Sequence, residues 1–305
     1  MTTEVPTRSG FAEAGDLRLG FEEHGPADGI PILLIMGFGA QLTLWPQQLC
    51  TTLAMKGFRV IRFDNRDIGL STKLDGTRVE GRFLARILRS QLGKPSDVPY
   101  TLVDMAEDTR QLLDSLGIER AHIVGASMGG MITQVLAAQY PERVHSATII
   151  FSSTNEPFLP PPTPTALRAL LAPPPRNPTT EALVERSVRT FRVLSGPGYP
   201  RSTEELRELA LEQVQRSHYP AGMVRQFAAV LGTGSLREYA RAITAPATVI
   251  HGSADPLVRP RSGRAVARAI PGASLTVIDG MGHDLPPALV PRIAGEILAA
   301  TARAS

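Results

Sequence analysis

The sequence predicts an α/β fold in which a mostly parallel, eight-stranded sheet is flanked by helices and interrupted after its sixth strand by a helical insertion. Three observations lead there. Short apolar runs such as Ile32-Leu33-Leu34-Ile35-Met36 alternate with helix-patterned segments, as strands do when helices cover both faces of a sheet. That alternation stops after residue 151, gives way to helical patterns only, and resumes at residue 247. Between the two arms, a strand, a corner of small residues and a helix meet at Gly125-Ala126-Ser127-Met128-Gly129.

Taken in order, residues 11–14 and 17–23 read as strands joined at Gly15-Asp16, a hairpin signal that puts an antiparallel edge on the sheet. The apolar strand 32–36 ends in Gly37-Phe38-Gly39. A helix opening at Trp45-Pro46 runs to about Lys56, Gly57 stops it, and residues 59–63 return as the next strand. The polar turn Asp64-Asn65-Arg66-Asp67-Ile68-Gly69 follows, then a variable stretch with a short helix over 82–92. Residues 101–116 carry Leu102, Met105, Ala106, Leu112, Leu113 and Leu116 on one helical face, with Gly117 as the stop.

The fifth strand, 121–126, leads through Ser127 into a helix that Pro141 ends, and 144–151 is the sixth strand. Residues 157–178 hold nine prolines, too many for a sheet interior, and lead into the insertion. From 179 to about 239 only helices are expected, one of them opened by the capping box Ser202-Thr203-Glu204-Glu205. Strand 247–250, helix 261–270, strand 274–278 and helix 288–301 close the chain. The expected division is residues 1–152 and 242–305 as the two parts of one core, and 153–241 as a helical cap. Such an insertion lies over the C-terminal ends of the strands, where open α/β sheets bind ligands.

Composition excludes more than it assigns. Across 305 residues, 43% hydrophobic and 20% charged content supports a large packed core and leaves no long disordered share. The formal charge is only +3, and the densest basic run, Arg259, Arg261, Arg264 and Arg268, alternates with small residues as a solvated helix face does; nucleic acid is not an expected partner. One cysteine, Cys50, excludes an intramolecular disulfide and fits a reducing compartment. No basic-then-apolar leader opens the sequence and no apolar run approaches the roughly 18 residues of a membrane helix, so a cytoplasmic protein without membrane insertion is expected. Self-association into a homo-oligomer stays open.

The chemistry starts at Ser127. A serine hydroxyl is a weak nucleophile at neutral pH and needs a neutral imidazole to take its proton. Among six histidines, His283 sits in the glycine-rich loop Gly280-Met281-Gly282-His283-Asp284 after the last strand, free to reach back over the sheet. His122 and His251 lie on strands and read as core histidines; His24, His145 and His218 have no supporting context. The imidazole needs an acceptor that fixes its tautomer, and Asp255, in the turn after the penultimate strand, supplies it, with Glu156 as the fallback acid. The order serine, aspartate, histidine is the one expected for a nucleophile on an early strand with acid and base after the last two strands. The oxyanion of the tetrahedral intermediate calls for fixed donors, and the expected ones are the backbone N–H groups of Phe38 and Met128. The blander alternatives are Ser127 as a helix N-cap and Asp255 as a plain Asp-Pro turn.

With Gly37-Phe38-Gly39, Asp64-Asn65-Arg66-Asp67-Ile68-Gly69-Leu70-Ser71, Gly125-Ala126-Ser127-Met128-Gly129 and Gly280-Met281-Gly282-His283 in that order, the chain resembles the α/β-hydrolase superfamily over nearly its full length. Ile35-Met36-Gly37 and Arg192-Val193-Leu194-Ser195-Gly196 make it most similar to the aclacinomycin methylesterase-like carboxylesterases. The resemblance implies an α/β-hydrolase fold and hydrolysis of a small-molecule carboxylic ester through an acyl-enzyme, with no cofactor and no metal. Met36 departs from the wider superfamily, where many members carry histidine before the oxyanion glycine, and that bears on how the loop is braced.

Rival readings are weaker. Gly37-x-Gly39 followed by Asp64 imitates a dinucleotide fingerprint, but Leu42 occupies the third glycine position. No Gly-Lys-Ser/Thr completes a phosphate loop, and no histidine pair or carboxylate cluster has metal-ligand spacing. Fold and triad leave room for a perhydrolase or haloperoxidase, a carbon–carbon bond hydrolase, or a binding protein without turnover. The insertion offers Phe158, Leu159, Leu170, Leu171, Phe191, Met223 and Phe227 to line an apolar pocket for an apolar or medium-sized substrate.

Overall fold

The structure, a computed structural model, describes residues 5–172 and 178–304. Its strands are β1 (Thr7–Ala14), β2 (Leu17–His24), β3 (Ile30–Ile35), β4 (Phe58–Phe63), β5 (Ala121–Ala126), β6 (Val144–Ile150), β7 (Ala247–Gly252) and β8 (Ser274–Ile278). They form one eight-stranded sheet in the order β1-β2-β4-β3-β5-β6-β7-β8. The hairpin β1–β2 pairs antiparallel with Ala14 opposite Leu17, β2 joins β4 antiparallel, and every later pairing is parallel.

The apolar strands are explained by the two faces they serve. Leu33, Ile35, Ile123, Ile149 and Val249 bury on one face, and Ile32, Leu34, Val124, Ile150 and Ile250 on the other. Successive side chains of a strand point to opposite sides, so a strand covered on both sides is apolar at most of its positions. The helices before the insertion are α1 (Gln47–Ala54), α2 (Phe83–Gln91), α3 (Leu102–Ser115) and α4 (Met128–Gln139). The insertion contributes α5 (Pro164–Leu171), α6 (Thr180–Leu194), α7 (Thr203–Arg216), α8 (Pro220–Gly232) and α9 (Arg237–Ala242), all between β6 and β7. Helices α10 (Pro260–Ala269) and α11 (Val290–Ala302) complete the core. Helices α3, α4 and α10 cover the first face, α1 and α11 the second.

Helix starts follow local chemistry. Thr101 caps α3 in a reciprocal box with Asp104, and Ser202 does the same for α7 with Glu205. Two expectations shift. Helix α1 starts at Gln47 because the side chain of Trp45 is swallowed by the core after a 3₁₀ turn at Leu42–Leu44, and Pro46 takes the N-cap. The proline-rich lead also holds a helix: Pro164 occupies the first turn of α5, where its missing N–H costs nothing, and the Thr163 hydroxyl accepts from the Ala166 amide. Residues 173–177 of that lead lie outside the described residues.

Helices α6 and α7 share a small core of Val184, Val188, Leu206 and Ala210, while Ala229 of α8 and Ala240 of α9 join the main one. Arg261, Arg264 and Arg268 are exposed on α10, the solvated face expected of them. No helix among the described residues is long and apolar enough to cross a membrane.

Candidate active site

Ser127 stands at the corner between β5 and α4 with φ 56° and ψ −118°. A non-glycine residue held there costs on the order of 1–3 kcal/mol, and the surroundings hold it. Its N–H donates to the Ile150 carbonyl at 2.9 Å; its own carbonyl accepts from the Ser152 hydroxyl at 2.7 Å and from the amide of Gly130 at 3.0 Å. The flanking glycines have steric reasons. A Cβ on Gly125 would sit 2.2 Å from the Gly129 carbonyl oxygen, and one on Gly129 would sit 2.0 Å from that of Ile35. The motif is therefore the set of residues that lets α4 start against β3 and β5.

The three side chains expected to act together are brought together. His283 Nε2 lies 3.0 Å from Ser127 Oγ, and its Nδ1 lies 2.8 Å from Asp255 Oδ2. A carboxylate can only accept, so Nδ1 carries the proton and Nε2 presents its lone pair to the hydroxyl. Asp255 is fully buried, with Oδ1 held by the amides of Leu257 at 2.8 Å and Val258 at 2.9 Å. These bonds to the turn aim Oδ2 at the histidine.

A second imidazole competes for the same carboxylate and is kept away. His251 Nε2 is 3.5 Å from Asp255 Oδ2 but 2.7 Å from the Val258 carbonyl, to which it donates. Burial holds His251 below the ordinary histidine range, so it stays neutral. Its ring fits because residue 263 is glycine, where a Cβ would come within 2.2 Å of Nδ1. His251 and His122 are both buried, as strand histidines should be. Glu156, the fallback acid, faces Arg237 at 3.7 Å, and the carboxylate on His283 is Asp255.

The loop Gly37-Phe38-Gly39 passes directly over the serine: a Cβ on Gly37 would stand 3.0 Å from that of Ser127. Around it several backbone groups are paired. Asn65 Nδ2 donates to the Met36 carbonyl at 3.0 Å, the Ala40 amide to the Gly37 carbonyl at 3.3 Å, and the Gly39 amide to Gln226 Oε1 at 2.9 Å. The amides of Phe38 and of Met128, the first residue of α4, have no acceptor among the described residues.

These loops are held by residues whose role no local sequence pattern shows. The Asp64–Ser71 block is structural: Asp64 accepts from the amides of Leu42 and Leu70 at 2.8 Å each and from Arg216 of α7 at 2.8 Å. Gly69 is needed because a Cβ there would meet the Asp64 carboxylate at about 2.1 Å. The segment Leu194-Ser195-Gly196, visible in the sequence as a motif without a role, packs on the histidine loop. The His283 amide donates to the Leu194 carbonyl at 2.8 Å, and a Cβ on Gly196 would stand 2.2 Å from the Gly280 carbonyl oxygen. The Ser195 hydroxyl donates at 2.9 Å to Asp284, whose carboxyl burial pushes above its usual range.

A cavity of about 310 Å³ opens over Ser127 and His283 between the core and the insertion. The ring of Phe151, which forms part of its wall, lies 4.5 Å from that of His283, centre to centre. Of the apolar residues expected there, Leu170, Phe191 and Met223 line it. Phe158 does not; it is 85% exposed because the chain turns outward at a positive φ of 64°. Leu159 is outside the wall, and Phe227 packs its ring on Phe38 instead, 5.6 Å between centroids. The side chain of Leu171 lies outside the described residues. No cluster among the described residues has the ligands to hold a metal ion.

Known proteins resemble the chain. The rhodomycin D methylesterase of Streptomyces sp. (strain C5) is 31% identical over 298 residues, covering 92% of this chain and 93% of that protein. The rhodomycin D methylesterase of Streptomyces peucetius is 30% identical with the same coverage. Among solved structures, the meta-cleavage product hydrolase of Pseudomonas fluorescens IP01 superposes with a TM-score of 0.74 at 19% identity, covering 97% of this chain and 98% of that one. Residues 30–286 match the family model of the alpha/beta hydrolase fold, and the chain belongs to that family.

Proposed function

We propose that the protein is a serine esterase that cleaves a small-molecule carboxylic ester through an acyl-enzyme, with Ser127 as nucleophile, His283 as general base and acid, and Asp255 as the carboxylate that orients it. The observation that carries this reading is the hydrogen-bonded chain from Ser127 Oγ through both nitrogens of His283 to the buried Asp255, at 3.0 and 2.8 Å. As Ser127 Oγ attacks the ester carbonyl, Nε2 takes its proton, and Asp255 stabilises the imidazolium that forms. The N–H groups of Phe38 and Met128 receive the negative charge on the former carbonyl oxygen, each worth roughly 3–4 kcal/mol where such donors have been removed in other enzymes. Collapse of the intermediate expels the alcohol, protonated by Nε2, and water repeats the sequence on the acyl group.

Residues 153–241 act as a cap over the cavity. Its apolar walls at Leu170, Phe191 and Met223 favour an apolar acid portion. Both Streptomyces relatives are named as methylesterases, which supports an ester of a small alcohol. The test is a series of p-nitrophenyl and methyl esters of graded acid size. Steady turnover is expected, with kcat lowered by about 10⁴-fold or more in Ser127→Ala or His283→Ala at an unchanged circular-dichroism spectrum. A residual rate near wild type in either variant would overturn the assignment.

A further inference from the structure

We infer that Gln226, on helix α8 of the insertion, is the positioning residue of the oxyanion loop, so that the insertion sets the catalytic geometry as well as covering the cavity. The inference rests on the esterase reading above. Gln226 is fully buried and makes two long-range bonds: its Oε1 accepts the Gly39 amide at 2.9 Å and its Nε2 donates to the Arg66 carbonyl at 2.8 Å. One amide group thereby ties the loop after β3 to the loop after β4.

Its helical neighbours act on the same three residues. Met223 lies three residues before Gln226 and four before Phe227, so on α8 it neighbours both. The Phe227 ring packs on Phe38, and Met223 Cε lies 2.9 Å from where a Cβ on Gly39 would be. Gly39 has a φ of 65°, so both conformation and contact reserve the position for glycine. On its other side α8 is held to the core. Arg225 makes a two-pronged ion pair with Asp67 at 2.8 Å, and Gly222 lets the helix backbone touch the Asp67 carbonyl. The clamp therefore rests on a fixed base.

The pairing pattern says what the clamp is for. Asn65 takes the Met36 carbonyl, Ala40 takes the Gly37 carbonyl, and Gln226 takes the Gly39 amide, while the Phe38 N–H between them has no acceptor among the described residues and is available to meet an oxyanion. Without Gln226 the peptide on the far side of Phe38 is free to turn, and the donor loses its aim. Both acylation and deacylation place charge on the same oxygen, so the loss falls on kcat rather than on KM.

Two variants test this, Gln226→Met, which removes both bonds, and Gln226→Glu, which keeps an acceptor for the Gly39 amide. Turnover of p-nitrophenyl acetate is measured per site titrated with an organophosphate, so misfolded protein does not count. The expected result is a kcat about 10- to 100-fold lower in Gln226→Met with KM within about twofold, and a smaller loss in Gln226→Glu. Amide hydrogen exchange of the peptide spanning residues 37–40 should quicken in Gln226→Met. A per-site kcat within about twofold of wild type, or a rise in KM in its place, overturns the inference while leaving the esterase reading intact. A wild-type chain inert to every ester sinks that reading and the kinetic claim with it. Unchanged exchange at Gly39 in Gln226→Met sinks the bracing by itself.

Discussion

The sheet core and the helical insertion are held by different means. In the core, strands β3, β5 and β7 bury apolar side chains on both faces, so position follows from packing of many contacts. The insertion reaches the loops of the site through a few directed polar bonds. Arg216 meets Asp64, Arg225 meets Asp67, Gln226 meets Gly39, and the side chain of Gln41 donates to the carbonyls of Gln213 and Ser217. The pair α6–α7 has only a small apolar core of its own. Apolar burial is indifferent to direction, whereas a hydrogen bond fixes both distance and angle. Helices held this way sit in one register beside the cavity, while Ala229 and Ala240 tie the same insertion into the main core.

The two kinds of anchor respond differently to substitution. Arg225→Met strips the partner from the fully buried Asp67 and should cost about 3–5 kcal/mol, the typical loss when one member of a buried pair is removed. Leu34→Ala, in the centre of the sheet, should cost about 2–5 kcal/mol through the cavity it leaves. Calorimetry with limited proteolysis separates them. The arginine variant should be cut within residues 153–241 before the sheet melts, and the leucine variant should lose both together. Cleavage of the insertion at the same temperature in both would remove the distinction.

The smallest effect concerns the end of the sheet remote from the serine. Burial, with His145 and Arg120 adding to it, pushes the His122 imidazole down to about 4 from the ordinary 6.5. An unfolded chain takes up that proton near pH 6.5 and the folded chain only near pH 4. The stabilisation is therefore complete above pH 6.5 and is lost as the pH falls between those values. His122→Gln should flatten that part of the Tm–pH curve by one histidine's share, and an unchanged slope would place the His122 imidazole at its ordinary value.

The division between core and insertion also explains what could be read in the sequence. Strands β3 to β7, the corner at Ser127 and the loops carrying Asp255 and His283 announce themselves by local pattern: an apolar run, a cluster of glycines, an order along the chain. The anchors do not. Arg225 and Gln226 sit on a helix whose polar residues look solvated, and their partners Asp67 and Gly39 lie more than 150 residues away. A buried charge is recognised by its partner, and the partner is known only once the chain has folded. The wall of the cavity was half legible for the same reason. Leu170, Phe191 and Met223 point inward, but Phe158 turns out on a single positive φ and Phe227 is taken by Phe38. The role of Leu194-Ser195-Gly196 was hidden because close backbone packing needs small residues without saying against what.

Covalent capture tests whether Ser127 is the nucleophile made reactive by His283 and Asp255, as proposed above. Treatment with diethyl p-nitrophenyl phosphate followed by peptide mapping should find a single adduct, on Ser127, that accumulates in step with the loss of esterase activity. The adduct should be absent in Ser127→Ala and should form orders of magnitude more slowly in His283→Ala. An adduct on another residue tracking the loss of activity, or a Ser127→Ala protein that is still inactivated at the wild-type rate, would contradict the account.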